Sequence, residues 1–204
     1  MAGVARASTE SEMNSDTREF KAALRRRIRS ELKNLSLVER IAASAQACSR
    51  LQQERLWQEA QYLLLYAPLP EELDIWPLLC EALARDKVVA LPRFESDQGV
   101  YSPCQVADIG RDLQRGQFGI SEPRKECPVV PLNRLDFVLV PGVAFNLDGR
   151  RIGRGGGFYD RLLASVCGIK CGVAFDPQVV SEVPVEPHDV RLDYLLTPTR
   201  WIRF

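Results

Sequence analysis

Apolar residues recur at every fourth position through Phe20, Leu24, Ile28 and Leu32, and Asp16 with Glu19 has the spacing of a helix cap and its partner. An amphipathic helix is expected there, with Lys21, Arg25, Arg29 and Lys33 as a neighbouring basic stripe. Ser36 and Glu39 form a second capping signal, which predicts a helix over about 37–54. The period then changes. "QYLLLYAPLP" is a short apolar run closed by prolines and predicts a buried strand, "LDIWPLLCEALARD" returns to helical spacing, and "KVVALPR" is the next strand.

"GVYSPCQV" predicts a further strand, "GQFGISEP" a loop, and "LDFVLVPGVAF" a central strand. A helix at "FYDRLLASV" and strands at "KCGVAF" and "DYLLTPT" complete the pattern. Strands alternating with helices predict an α/β fold: a single-domain three-layer sandwich with a mostly parallel central sheet flanked by helices. Ligands on such sheets bind beyond the carboxyl ends of the strands, where "PGVAFNLDGRRIGRGGGFYD" should lie.

The length of 204 residues suits one domain, expected over 16–204 after a disordered tail at 1–15. That first segment lacks an apolar core of signal-peptide length, and Glu10, Glu12 and Asp16 argue against an acid-poor transit peptide. Twenty-seven basic residues balance 27 acidic ones, so no overall field draws the chain to nucleic acid or an anionic membrane. Six cysteines without a C-x-x-C pair read as reduced core residues, and the expected location is cytoplasmic.

The segment "GRRIGRGGGFYD" (149–160) concentrates the chemistry. Its glycines expose backbone N–H groups, and Arg150, Arg151 and Arg154 add charge, so a loop opening a helix near Gly157 is a candidate anion site. The alternative is a plain surface turn. The spacing matches neither G-x-G-x-x-G nor the P-loop. Asp160 is either a helix-dipole partner or, beside a phosphate, a magnesium ligand; Asp189, ahead of the last strand, is either a turn residue or a second ligand at the same sheet edge.

These residues resemble the signature segment of the 5-formyltetrahydrofolate cyclo-ligase family, and "KAALR", "PLPEELDIWPLL", "ALPR", "FGISEP" and "VPVEPHDVRLDYLLTP" follow in the family's order over 18–204. The resemblance implies an ATP-dependent, Mg²⁺-requiring conversion of 5-formyltetrahydrofolate to 5,10-methenyltetrahydrofolate, with release of ADP and phosphate. It implies that Lys21 and Arg25 reach ATP from the first helix. It implies a nucleotide loop of Arg151, Gly153, Arg154, Gly155, Gly156, Gly157, Phe158 and Tyr159, with Arg154 to Phe158 also touching the folate. Glu72 would bind the pterin, Asp160 and Asp189 the magnesium, and Arg154 and Lys21 would carry catalysis. The partners are then small molecules, a reduced folate and ATP, with no nucleic acid or membrane, and the chain is expected as a monomer or weak dimer.

Two positions depart from the family: Asn146 stands where aspartate is common, and Phe158 replaces a common tyrosine. Phe158 and Tyr159 could also be core aromatics, and one is expected to be, because consecutive helix residues point different ways. Tyr66 and Phe118 are further aromatics that could meet a pterin or lie in the core, and His188 could orient Asp189 or serve the turn. A non-catalytic binder of nucleotide or RNA and a sugar-phosphate site are the competing readings of the loop.

Overall fold

The computed structural model describes residues 2–116, 119–186 and 189–204, with side chains described from Thr17 onward. In chain order the elements are α1 (Ala2–Lys33), α2 (Leu37–Gln52), α3 (Arg55–Glu59), β1 (Tyr62–Leu64), α4 (Trp76–Ala84), β2 (Val88–Glu95), β3 (Val100–Val106), α5 (Ile109–Asp112), β4 (Leu113–Arg115), β5 (Ser121–Pro123), β6 (Phe137–Pro141), β7 (Ala144–Phe145), β8 (Arg151–Ile152), α6 (Phe158–Leu163), β9 (Ile169–Val173), β10 (Tyr194–Leu196) and β11 (Trp201–Arg203).

Seven strands form the central sheet in the order β11-β10-β9-β6-β1-β2-β3. The five inner strands are parallel, and β3 and β11 close the two edges antiparallel to their neighbours. Alternation of side chains along each strand divides the core in two. Leu63, Leu65, Phe137 and Leu139 join Leu24, Ile28, Leu51 and Leu78 of the helices α1, α2 and α4 on one face. Leu64, Val138 and Val140 join Leu162 and Leu163 of α6 on the other. This is the expected three-layer sandwich, with β6 as its middle strand.

The chain runs from β1 outward to β2 on one side and from β6 outward to β9 and β10 on the other. The order therefore reverses between β1 and β6. At such a reversal the connections leave in opposite directions and open a crevice at the carboxyl ends of the two strands.

Several expectations are corrected. α1 is continuous from Ala2, so Asp16 is an interior position and the expected boundary between tail and domain is not a helix end; the segment holds one glycine and no proline to break it. Leu24, Ile28 and Leu32 are buried as expected, whereas Phe20 is 49% exposed. The long apolar run 135–145 is two strands, because the chain turns at Gly142, where a Cβ would meet the Phe145 ring at 2.6 Å. β7 then pairs with β8 in a separate two-stranded ribbon, which puts Arg151 on a strand and not in the loop. The expected loop 116–123 contains β5, paired with β4. Cys80 and Cys167 are exposed, so the core reading holds for Cys48, Cys104, Cys127 and Cys171. Phe118 and His188 lie outside the described residues. Ser36 and Glu39 do form the capping box of α2.

Candidate functional site

A cleft of about 810 Å³, mouth included, opens at the reversal point. Tyr66 and Ala67 follow β1, Pro141 ends β6 and Gly142 follows it, Pro92 and Tyr101 come from β2 and β3, Ser121 and Glu122 from β5, and the loop after β1 and the glycine loop complete the lining. Glu72, Arg151, Arg154 and Asp160 all line this one space.

The loop's shape comes from its glycines. Gly155 and Gly157 hold φ values of 114° and 63°, conformations that side chains with a Cβ rarely adopt. A Cβ on Gly156 would fall 2.4 Å from the Phe158 ring. α6 is six residues long and begins directly after Gly157, so its dipole is small, and the positive charge here comes mainly from arginines.

Arg151 projects from β8 into the protein. One terminal nitrogen donates to Asp160 Oδ1 at 2.8 Å, while its buried Nε has no hydrogen-bond partner among the described residues. Burial pulls this guanidinium below its usual value, against the opposing charges of Asp160, Tyr159 and Asp189. Arg154 is half-exposed and forks onto the acidic pair, donating to Glu71 Oε1 at 3.0 Å and to Glu72 Oε1 at 3.1 Å. Burial pushes the Glu72 carboxyl above the ordinary range, although the Leu69 N–H and Arg154 both pull it down. Glu71 is more open: burial raises its carboxyl, but its own backbone N–H and Arg154 outweigh that and leave it lowered.

A second cluster adjoins the loop. Lys21 of α1 is buried and donates to Glu186 Oε2 at 2.6 Å and Asp189 Oδ2 at 2.9 Å. One turn on, Arg25 Nε donates to the Gly153 carbonyl at 2.9 Å, tying α1 to the glycine loop. Lys21, Arg25 and Asp189 thus adjoin the cleft without lining it. Arg151, hydrogen-bonded to Asp160, also stands within electrostatic reach of Asp189.

The aromatics divide by position. Phe158 meets Phe94 and Tyr101 edge to face, with ring centroids 5.2 and 5.4 Å away, on the cleft wall. Tyr159 packs against the α6-side core and Tyr101, and burial pushes its hydroxyl well above the usual range. Tyr66 is buried and donates to the Leu73 carbonyl at 3.1 Å, so its ring is fixed at the cleft floor. Asn146, one residue after β7, closes the turn into β8: its Oδ1 accepts from the N–H groups of Asp148 and Arg150, and its Nδ2 donates to Asp148 Oδ2 at 3.0 Å.

Sequence reading missed Glu186, Tyr101 and Glu122 as site residues. Glu186 stands three positions before Asp189 in a segment already singled out, so its charge was the available signal; nothing in the pattern pointed to the other two, which the fold delivers from β3 and β5.

A parallel α/β sheet with a strand-order reversal, and a cleft there lined by arginines and carboxylates, has the form of a ligand-binding α/β enzyme fold. Comparison narrows this. The sequence model of the 5-formyltetrahydrofolate cyclo-ligase family matches residues 17–198. The 5-formyltetrahydrofolate cyclo-ligase of Mycolicibacterium smegmatis is 35% identical over 142 residues, covering 67% of this chain and 73% of the relative. The enzyme of that name from Escherichia coli K12 is 33% identical over 172 residues, covering 73% and 91%. The NMR structure of 5,10-methenyltetrahydrofolate synthetase from Aquifex aeolicus superposes with a TM-score of 0.81 at 37% identity, covering 90% of this chain and 92% of the other. The chain is an enzyme belonging to the 5-formyltetrahydrofolate cyclo-ligase family. Among the described residues no helix is long and apolar enough to cross a membrane.

Proposed function

We propose that this chain converts 5-formyltetrahydrofolate to 5,10-methenyltetrahydrofolate with consumption of ATP, Mg²⁺ serving as cofactor. The observation that carries the reading is the confluence of Arg151, Arg154, Asp160 and Glu72 in one cleft behind a glycine loop.

A formamide oxygen is a poor leaving group. Transfer of the ATP γ-phosphoryl onto that oxygen, with the N5 lone pair moving into the C–N bond, gives an iminium phosphate and ADP. N10 then attacks the formyl carbon, the C–O bond breaks, phosphate departs, and the N10 proton is lost as the methenyl bridge forms. This chemistry asks for charge neutralisation and alignment more than for a protein nucleophile.

Arg151 supports the reading because its buried Nε is a donor in need of an acceptor, which a phosphoryl oxygen would supply. Lys21 and Arg25 are proposed to reach the phosphates from α1. Arg154 is proposed to exchange its exposed Glu71 contact for the oxygen that gains charge during transfer, while the bare backbone from Gly153 to Gly157 lets nucleotide and folate approach closely. Glu72, a largely buried carboxylate, suits the amino-pyrimidinone edge of the pterin, which offers paired N–H donors.

The donor set also fits magnesium. Asp160 and Asp189 are two carboxylates on neighbouring segments, each partnered by a protein cation. That suits an ion that takes two carboxylates and completes its shell with phosphate oxygens and water. Asp160 and Asp189 would hold the ion, which would supply charge neutralisation at the nucleotide.

Residues 16–204 are proposed as the catalytic unit, a cytoplasmic monomer or weak dimer. The test is isotopic. Substrate carrying ¹⁸O in the formyl group should deliver that label into inorganic phosphate, with one ADP per methenyl product. Phosphate free of label would overturn phosphorylation of the formyl oxygen.

A further inference from the structure

Glu122 is a buried carboxylate, 7% exposed, on the cleft wall formed by β5. The strand alternates there: Ser121 faces out and Glu122 faces in. Burying a carboxylate is costly without full neutralisation, and among the described residues its partners are one backbone N–H and one nearby guanidinium. The Phe94 backbone N–H donates to Glu122. Arg93 lies close enough to be felt but is held by Glu95 at 2.8 Å and by the Arg124 and Lys125 carbonyls. Gly116 leaves room for the carboxyl, since a Cβ there would stand 2.2 Å from Glu122 Cδ.

The cleft lining that this carboxylate shares is largely apolar and aromatic. Pro92, Tyr101 and Phe158 supply apolar and aromatic faces beside it. Of the other carboxylates that line the cleft, Asp160 is paired with Arg151, and Glu72 accepts from the Leu69 N–H at Oε2 and from Arg154 at Oε1, each with lone pairs to spare. Tyr101 stands within electrostatic reach of Glu122 and Glu72.

We infer that Glu122 is a second substrate-binding carboxylate, which accepts N–H groups of the reduced pterin ring from the β5 wall while Glu72 serves the ring from the loop after β1. The inference rests on the reading of the cleft as a folate site. A tetrahydropterin carries ring N–H groups and an exocyclic amino group on separate parts of its rim, so two carboxylates can each take a share. The second acceptor fixes the ring's in-plane rotation, and with it the position of the formyl oxygen relative to the nucleotide.

The experiment compares wild type, Glu122→Gln and Glu122→Asp in steady-state kinetics and in calorimetric titration with 5-formyltetrahydrofolate in the absence of ATP. Loss of a charged acceptor should raise the KM for the folate about tenfold or more, weaken its direct binding by a similar factor, and leave the KM for ATP within about twofold, with Asp intermediate. Gly116→Ala, which crowds the carboxyl without removing it, should shift the same two folate quantities and stands in if Glu122→Gln does not fold. Unchanged folate KM and binding in these variants, beside an active wild type, would overturn the role of Glu122 alone. Failure of the wild type to bind 5-formyltetrahydrofolate at all would instead overturn the folate reading beneath it.

Discussion

Arg151 donates to Asp160 at 2.8 Å while its own Nε, buried behind the glycine loop, meets no acceptor among the described residues. A buried guanidinium with a spare donor and one carboxylate partner is half of an anion site. The same pair also bears on stability, because removing either charge strands the other.

Asp160→Asn should therefore act twice. It leaves Arg151 buried without its contacting counter-charge, so the unfolding free energy in urea should fall by about 3 kcal/mol. It should also abolish most of the rise in melting temperature expected of the wild type with Mg²⁺ and ATP, a readout of nucleotide binding apart from turnover. A variant as stable as wild type would show that the ion pair is spectator to the fold.

Glu72 and its neighbour should respond to pH in opposite senses. Burial raises the folded pKa of Glu72 above its unfolded value, so its contribution to stability is fullest below the ordinary carboxylate range and is lost as pH rises through the folded pKa. The folded pKa of Glu71 is lowered, so its contribution is present above the unfolded pKa and is lost as pH falls through the folded one. Urea midpoints measured across the acidic range should show Glu72→Gln removing a decline on the alkaline side, and Glu71→Gln removing a decline on the acid side.

Glycine substitutions should separate backbone conformation from space. Gly155→Ala meets no close atom but must hold φ at 114°, a strain of about 1–3 kcal/mol that should appear as lost stability or a reshaped loop. Gly156→Ala instead drives a Cβ into the Phe158 ring, which is held by Phe94 and Tyr101. Misplacing that wall should cost activity on the order of 10²-fold, measured as kcat/KM for the folate.

Asn146 has a local explanation. Its amide donates to Asp148 Oδ2, which an aspartate at the same position could not do at neutral pH. Asn146→Asp, although it installs the residue common in the family, should lower the melting temperature by setting two carboxylates against each other at the turn into β8. A variant as stable as wild type would mean that Asp148 swings away freely.

The parts of this fold that were legible in the sequence are those with a period. The capping box at Ser36, the four-residue repeat from Leu24 to Leu32 and the apolar runs at 62–65 and 137–141 each carry their own register, and together they defined a parallel α/β sheet. The turn at Gly142 was hidden, because "FVLVPGVAF" stays apolar through a break that only the Phe145 ring reveals. Phe20 continued the apolar repeat by spacing and yet lies beyond the core, since spacing reports a face and not where the packing partner ends. Within the site, the glycine loop, Arg151, Arg154 and Asp160 were visible because they are neighbours in the chain. Asp189 was visible as a carboxylate just ahead of the last strand, Glu72 was reached only through family resemblance, and Tyr101 and Glu122 not at all, because their proximity is created by the order of strands.

The most direct test of the central claim is the absorbance of the methenyl product when purified protein is mixed with 5-formyltetrahydrofolate, ATP and Mg²⁺, beside Asp160→Ala. The account predicts a rise that requires ATP and Mg²⁺ and collapses in the variant. A silent wild type that is still stabilised by ATP would contradict it, leaving a phosphate-binding cleft without the cyclo-ligase reaction.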